Sequence, residues 1–81
     1  MEAKRRDVTI RKKMLREIAD IEAFIANETE ESFAQSRLAQ KAVMMTLINI
    51  AELSKSFSEE YLLATSSIPW KEIRGLRNIA A

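Results

Sequence analysis

At 81 residues the chain is one domain or part of one, and a chain this short buries only about 60–65% of the surface its unfolded form exposes, so its stability calls for a partner. Its 47% hydrophobic and 31% charged residues, with one glycine and one proline, exclude a disordered tail and fit an ordered, helix-rich protein. Cysteine and histidine are both absent, which excludes disulfide and thiolate chemistry and removes the commonest general base together with the commonest transition-metal ligand.

A formal net charge of +1 conceals zoning. Lys4, Arg5, Arg6, Arg11, Lys12, Lys13 and Arg16 crowd the first segment, the charged residues from Asp20 to Glu31 are all acids, and Lys71, Arg74 and Arg77 make the last segment basic again. Such zoning attracts a phosphate backbone. For the N-terminal run, where no aromatic residue is interleaved with the charges, the reading is a solvated helix face with partners one turn away. No apolar run approaches the roughly 18 residues of a membrane span. The N-terminus lacks the apolar core of a signal peptide, so the default compartment is the cytoplasm.

With Asp7 as its N-cap, the first helix carries Ile10, Met14, Ile18, Ile21 and Ile25 at spacings of four, four, three and four, and Val8, Leu15 and Phe24 widen the stripe. This predicts a helix of roughly 20 residues, about 30 Å long. Cap and turn residues from Asn27 to Ser32 break the pattern, and Phe33 tucks a short connecting turn onto the core. Ser36 then opens a second long helix to about Phe57. From Ala42 to Leu53 that helix is apolar on nearly every side, interrupted only by Thr46, Asn49 and Glu52, and a helix apolar around most of its circumference is buried around most of it. Two other helices of a small domain do not cover such a surface. Val43, Met44, Leu47, Ile48 and Ile50 are therefore expected to meet a second subunit, in a homodimer or a higher oligomer. Met44 and Met45 are read as core filling.

Ser56-Phe57-Ser58-Glu59 has the form of a capping box and starts a short helix through Tyr61 and Leu63 that ends in Ala64-Thr65-Ser66-Ser67. Pro69 suits the first turn of a final helix, whose buried stripe is Trp70, Ile73 and Leu76. Trp70 is read as core because apolar residues follow it at helical spacing. Gly75 costs that helix about 1 kcal/mol relative to alanine, and is expected to admit a neighbouring backbone or side chain. The helix reaches Asn78-Ile79-Ala80-Ala81 with no glycine cap, proline or polar stop. Four helical segments, without strand signal or internal repeat, predict an all-α, antiparallel helical bundle whose last helix is missing.

The string IPWKEIRGLRNIAA, from Ile68 to Ala81, preceded by IAELSKSF and by a first helix of the type IRKKMLREIADIEAFI, resembles the HepT-like family of HEPN domains (higher eukaryotes and prokaryotes nucleotide-binding) from about Asp7 to Ala81. The resemblance implies a helical-bundle dimer acting as a metal-independent ribonuclease toxin, with no cofactor, encoded beside a minimal nucleotidyltransferase antitoxin. Its signature is an arginine, a polar residue, a short spacer, a histidine and, two residues later, a tyrosine. Arg77 and Asn78 match the first two positions and are the catalytic candidates, and the histidine is expected immediately after Ala81. Lys71 and Arg74 are the further RNA and phosphate ligands, and Glu52, in the helix where the family commonly carries an acid, braces Arg77 or Arg74 or else pairs with Lys55.

The chemistry needs these groups. When a 2′-hydroxyl attacks the adjacent phosphorus, an imidazole moves the proton and a guanidinium stabilises the charge that builds on the phosphoryl oxygens. Three departures from the family pattern stand out: Ala51 replaces the glycine before the acid, the histidine and tyrosine are absent, and so is the closing helix. The expectation is a single HEPN domain over residues 1–81, C-terminally incomplete and inactive as it stands. The alternative is a non-catalytic helical dimerisation or protein-interaction module.

Overall fold

The computed structural model describes residues 2–80, with side chains from Glu2 to Asn78, and the predicted run of the last helix into Ala81 lies outside them. Among the described residues there are five helices and no strand: α1 (Glu2–Ile25), α2 (Glu30–Gln35), α3 (Arg37–Ser54), α4 (Glu59–Ala64) and α5 (Trp70–Ala80). The all-α architecture is as the spacing predicts. The fifth helix is α2, where a connecting turn is expected: Thr29 caps it reciprocally with Ser32, each side chain accepting the other's backbone N–H at 3.0 and 2.9 Å.

α1 starts earlier than predicted, and Asp7 is not its N-cap. Asp7 lies inside the helix, is 6% exposed, and accepts the Ser58 backbone N–H at 2.8 Å and the Ser58 hydroxyl at 2.5 Å. Ser58, not Ser56, is the N-cap of α4, its hydroxyl oxygen accepting the Tyr61 N–H at 3.1 Å. An Asp ahead of an apolar stripe reads as a cap from local pattern alone, whereas here the cap it serves belongs to a helix 51 residues away. α3 ends at Ser54, short of Phe57, because the chain turns there and sends Phe57 into the core. Ser36 caps α3 as predicted, accepting the Ala39 N–H at 3.0 Å.

α3 is the spine. α1 and α5 both pack against it, and α1 runs antiparallel to it, as the pairing of Arg6 with the Ser56 carbonyl and of Ile21 with Val43 indicates. Ala51 and Ser54, one turn apart and 0% exposed, are small enough for neighbouring backbone to approach α3 closely. The core joins Ile10, Met14, Ile50, Phe57 and Trp70, with Ile21, Leu53, Tyr61, Leu62 and Ile73 packed against it. Trp70 is core, as its spacing predicts. Its ring lies 5.1 Å from Phe57, which stacks on Tyr61 at 4.3 Å, and its indole N–H donates to the Thr65 hydroxyl at 2.9 Å.

Three expectations for α3 and α5 are corrected. Ile50 belongs to the core of the single chain and is 8% exposed, so it offers no interface surface. Val43, Leu47 and Ile48 are half-buried, while Met44 and Met45, read as core filling, are 41% and 60% exposed. Gly75 admits no neighbour, since nothing lies within 4 Å of where its Cβ would stand.

Candidate functional site

α5 carries Arg77 on the same side as Trp70 and Ile73, the side that meets α3. The guanidinium therefore reaches across to α3, where Arg77 Nη1 lies 2.8 Å from Glu52 Oε1. The same carboxylate oxygen receives Lys55 Nζ at 3.6 Å, so two of the three partners expected for Glu52 are present, Arg77 much the closer, and Arg74 is not paired with it. These side chains are 44–56% exposed, and a pair this open contributes only about 0–1 kcal/mol to stability. Its consequence is positional: the guanidinium is held by one edge while its other N–H groups face solvent.

Residues 14–81, which include the whole of α3 and the described part of α5, match the family model described as Ribonuclease HepT-like. The chain belongs to the ribonuclease HepT-like family. No curated protein and no solved structure matches it.

Within this HepT-like domain, Lys71, Arg74 and Asn78 share the side of α5 that adjoins Arg77, and all three are exposed. Asn78 and Arg77 are neighbours in sequence but point about 100° apart, so the pair presents its polar groups over a broad arc of the helix. Gly75 lies among Lys71, Arg74 and Asn78 on this side, leaving the backbone open between three polar side chains. The five interface candidates do not join this group: four are half-buried or exposed along α3, and Ile50 is internal.

The sequence alone misses what faces Glu52 from the other side. An open cavity of about 570 Å³ lies between α1 and the C-terminal half of α3, lined by Lys13, Arg16, Glu17, Asn49, Glu52, Leu53 and Ser56. Arg77 thus stands at one lip and the α1 cations at the other. The signal available in the sequence is the spacing of Arg5, Thr9, Lys13 and Arg16 at four, four and three, which puts them on one face of α1. What the spacing does not reveal is whether carboxylates neutralise that face. Among the described residues, the ion pairs are Glu52 with Arg77 and Glu52 with Lys55, and neither involves α1. Among the described residues, too, no group of three acidic side chains is gathered as a metal would require, and no helix is long and apolar enough to cross a membrane.

The Asp7 carboxyl titrates below its ordinary range. Burial works against its charge, but the hydrogen bonds from the Ser58 hydroxyl and backbone N–H, with the Arg6 guanidinium nearby, outweigh it and hold the pKa below the ordinary 3.8. This ties α1 to the start of α4 and so fixes the cationic face of α1 relative to α3.

Proposed function

We propose that this domain is the RNA-cleaving component of a toxin–antitoxin pair whose partner is a minimal nucleotidyltransferase. The reading is a metal-independent endoribonuclease in which Arg77, steadied by Glu52, holds the scissile phosphate, Asn78 orients it, and Lys71 and Arg74 bind flanking phosphates. The observation that carries it is the 2.8 Å contact of Arg77 with Glu52, inside the span matched to the family. Proton transfer from the 2′-hydroxyl, and to the 5′-oxygen that leaves as a 2′,3′-cyclic phosphate forms, needs a general base and acid, and these 81 residues contain no histidine. In this reading that role falls to the histidine expected immediately after Ala81, and a homodimer sets two such sites across one cleft.

The test is RNA cleavage by a chain that continues through that histidine, with and without Arg77→Ala. A loss of roughly a hundredfold or more in the variant is expected for removing a cation from the developing phosphoryl charge. Equal cleavage by both would remove Arg77 from the mechanism. Assembly is tested separately by sedimentation of the 81-residue chain and of Met44→Asp. Because Met44 is 41% exposed, the substitution leaves the core alone, and a dimer that uses this face should dissociate while helicity is retained.

A second reading, the non-catalytic interaction module, draws on the exposed apolar residues Met44 and Met45 of α3. Capture of a nucleotidyltransferase through that face, together with absent cleavage by the longer chain, would favour it.

A further inference from the structure

We infer that the groove between α1 and the C-terminal half of α3 is a track for the backbone of one RNA strand, leading to Arg77. This rests on the ribonuclease reading above and extends it to a groove half of whose lining residues precede the family-matched span, which begins at residue 14. The cavity beside Glu52 continues along α1 into a second of about 540 Å³, lined by Glu2, Arg5, Arg6, Thr9, Ile10, Lys13, Leu53 and Ser56. The two share Lys13, Leu53 and Ser56, so they form one groove.

Arg5, Arg6, Lys13 and Arg16 project into it from α1, and Lys55 and Arg77 attach to its far lip through Glu52. Against them stand Glu2, Glu17 and Glu52, the last already engaged by two cations. Asp7, the remaining acid in the basic half of α1, is turned away to Ser58. Arg6 Nε is anchored on the Ser56 carbonyl at 3.1 Å, which holds its charge over the groove. From Arg5 to Arg16 the cations extend over about 16 Å of helix. A concave, cationic channel of this length suits the flexible backbone of a single strand, which enters a groove where a convex duplex does not.

The lining contains no aromatic side chain, and Asn49 is its only amide. Bases are therefore not stacked or read here, and the track grips phosphates without regard to sequence. Lys4 and Arg11 provide an internal control. They lie on the opposite flank of α1, beside Asp7, Val8 and Tyr61.

The experiment is fluorescence anisotropy of the 81-residue chain with a labelled oligouridylate from roughly 50 to 200 mM salt, the range over which phosphate contacts show. Each contact to a single strand contributes about −0.7 to the slope of log affinity on log salt. Lys13→Ala with Arg16→Ala should flatten the slope by about 1.4 and weaken low-salt binding tenfold or more. Lys4→Ala with Arg11→Ala should change affinity less than about threefold, because screening acts across the helix. The charge-retaining pair Lys13→Arg with Arg16→Lys should keep the wild-type slope, which separates charge from any effect on folding. If the two alanine pairs behave alike while Arg77→Ala still weakens binding, the track is overturned and the ribonuclease reading stands. If the wild-type chain binds no oligouridylate, or binds phosphatidylserine vesicles in its place, the track is overturned, and the ribonuclease reading is decided by the cleavage test of the longer chain.

Discussion

At the end of the bundle where α4 and α5 meet α1, Ile10, Met14, Ile50, Phe57 and Trp70 are all at most 8% exposed, whereas farther along α1 Phe24 and Ile25 remain 41% and 43% exposed. Both ends carry the same kind of apolar residue, and they differ in what is available to cover it. α1 is 24 residues long, about 36 Å, while α5 has 11 residues and spans about 16 Å. The short α2 leaves an apolar hollow of about 360 Å³ among Ile21, Ile25, Phe33 and Val43. The radius of gyration, 14.3 Å, exceeds the about 12 Å of a compact chain of this length accordingly. A helical stripe tells which face is apolar; the lengths of the neighbouring elements decide how much of it is buried.

The strongest way to break this comparison is to truncate one aromatic residue at each end. Trp70→Ala removes the indole packed at a tilt against Phe57 and Tyr61 and its bond to Thr65, and should cost about 3–5 kcal/mol. In a chain this small that is enough to unfold most of the population, read as loss of helical circular dichroism. Phe24→Ala should cost less than about 1 kcal/mol, since the ring is 41% exposed. Comparable losses at the two ends would mean that the open end is covered in solution by another molecule.

A smaller effect is expected at the tie between the ends of α1 and α4. Asp7→Asn keeps the shape but replaces one acceptor with a donor facing Ser58, so Tm should fall by roughly 5 °C at neutral pH. The folded chain holds Asp7 below its ordinary 3.8, so the native state binds fewer protons there than the unfolded chain. Its contribution is present above 3.8 and is lost as pH falls through the lower folded value. Thermal melts of wild type and variant should therefore converge in acid, and a constant gap across the series would contradict the assignment.

How much of this was legible depended on whether the cause was local. Ser36 as a cap, the end of α1 ahead of Asn27 and the Pro69-Trp70 start follow from neighbours in sequence, and the structure has them in place, although the expected break through Ser32 is cut short at Thr29 by α2. Asp7 misled because its partner is 51 residues away, a fact that no local pattern encodes. The resemblance in the GLRN string points to Arg77, and the sequence leaves Arg77, Arg74 and Lys55 as alternative partners for Glu52; the structure pairs it with Arg77 and Lys55. The groove was not legible at all, because seven clustered cations look the same on a neutralised face as on an unneutralised one.

Gly75 sharpens the comparison from the α5 side. It has a helical conformation and open space around it, so Gly75→Ala should stabilise the chain by about 0.5–1 kcal/mol through the reduced freedom of the unfolded state. A gain in Tm identifies the position as open. A loss would show that a second copy of the chain approaches the bare backbone there.

The smallest stability effect belongs to Glu52→Gln, and there the two sides of the proposed RNA track can be set against each other. Glu52 is 44% exposed and its pairs with Arg77 and Lys55 are solvated, so the substitution should change stability by less than about 1 kcal/mol. Its effect on RNA should be opposite in sign to that of removing a cation. Neutralising the acid frees Arg77 and Lys55 and raises the positive charge on one lip, which should tighten oligouridylate binding by up to about fivefold at low salt. Tightening that vanishes at high salt would assign the gain to phosphate attraction. Weakened binding would mean that the carboxylate positions Arg77 on the strand strongly enough to outweigh its own repulsion, and Glu52 would then be a positioning residue for binding and not only for cleavage.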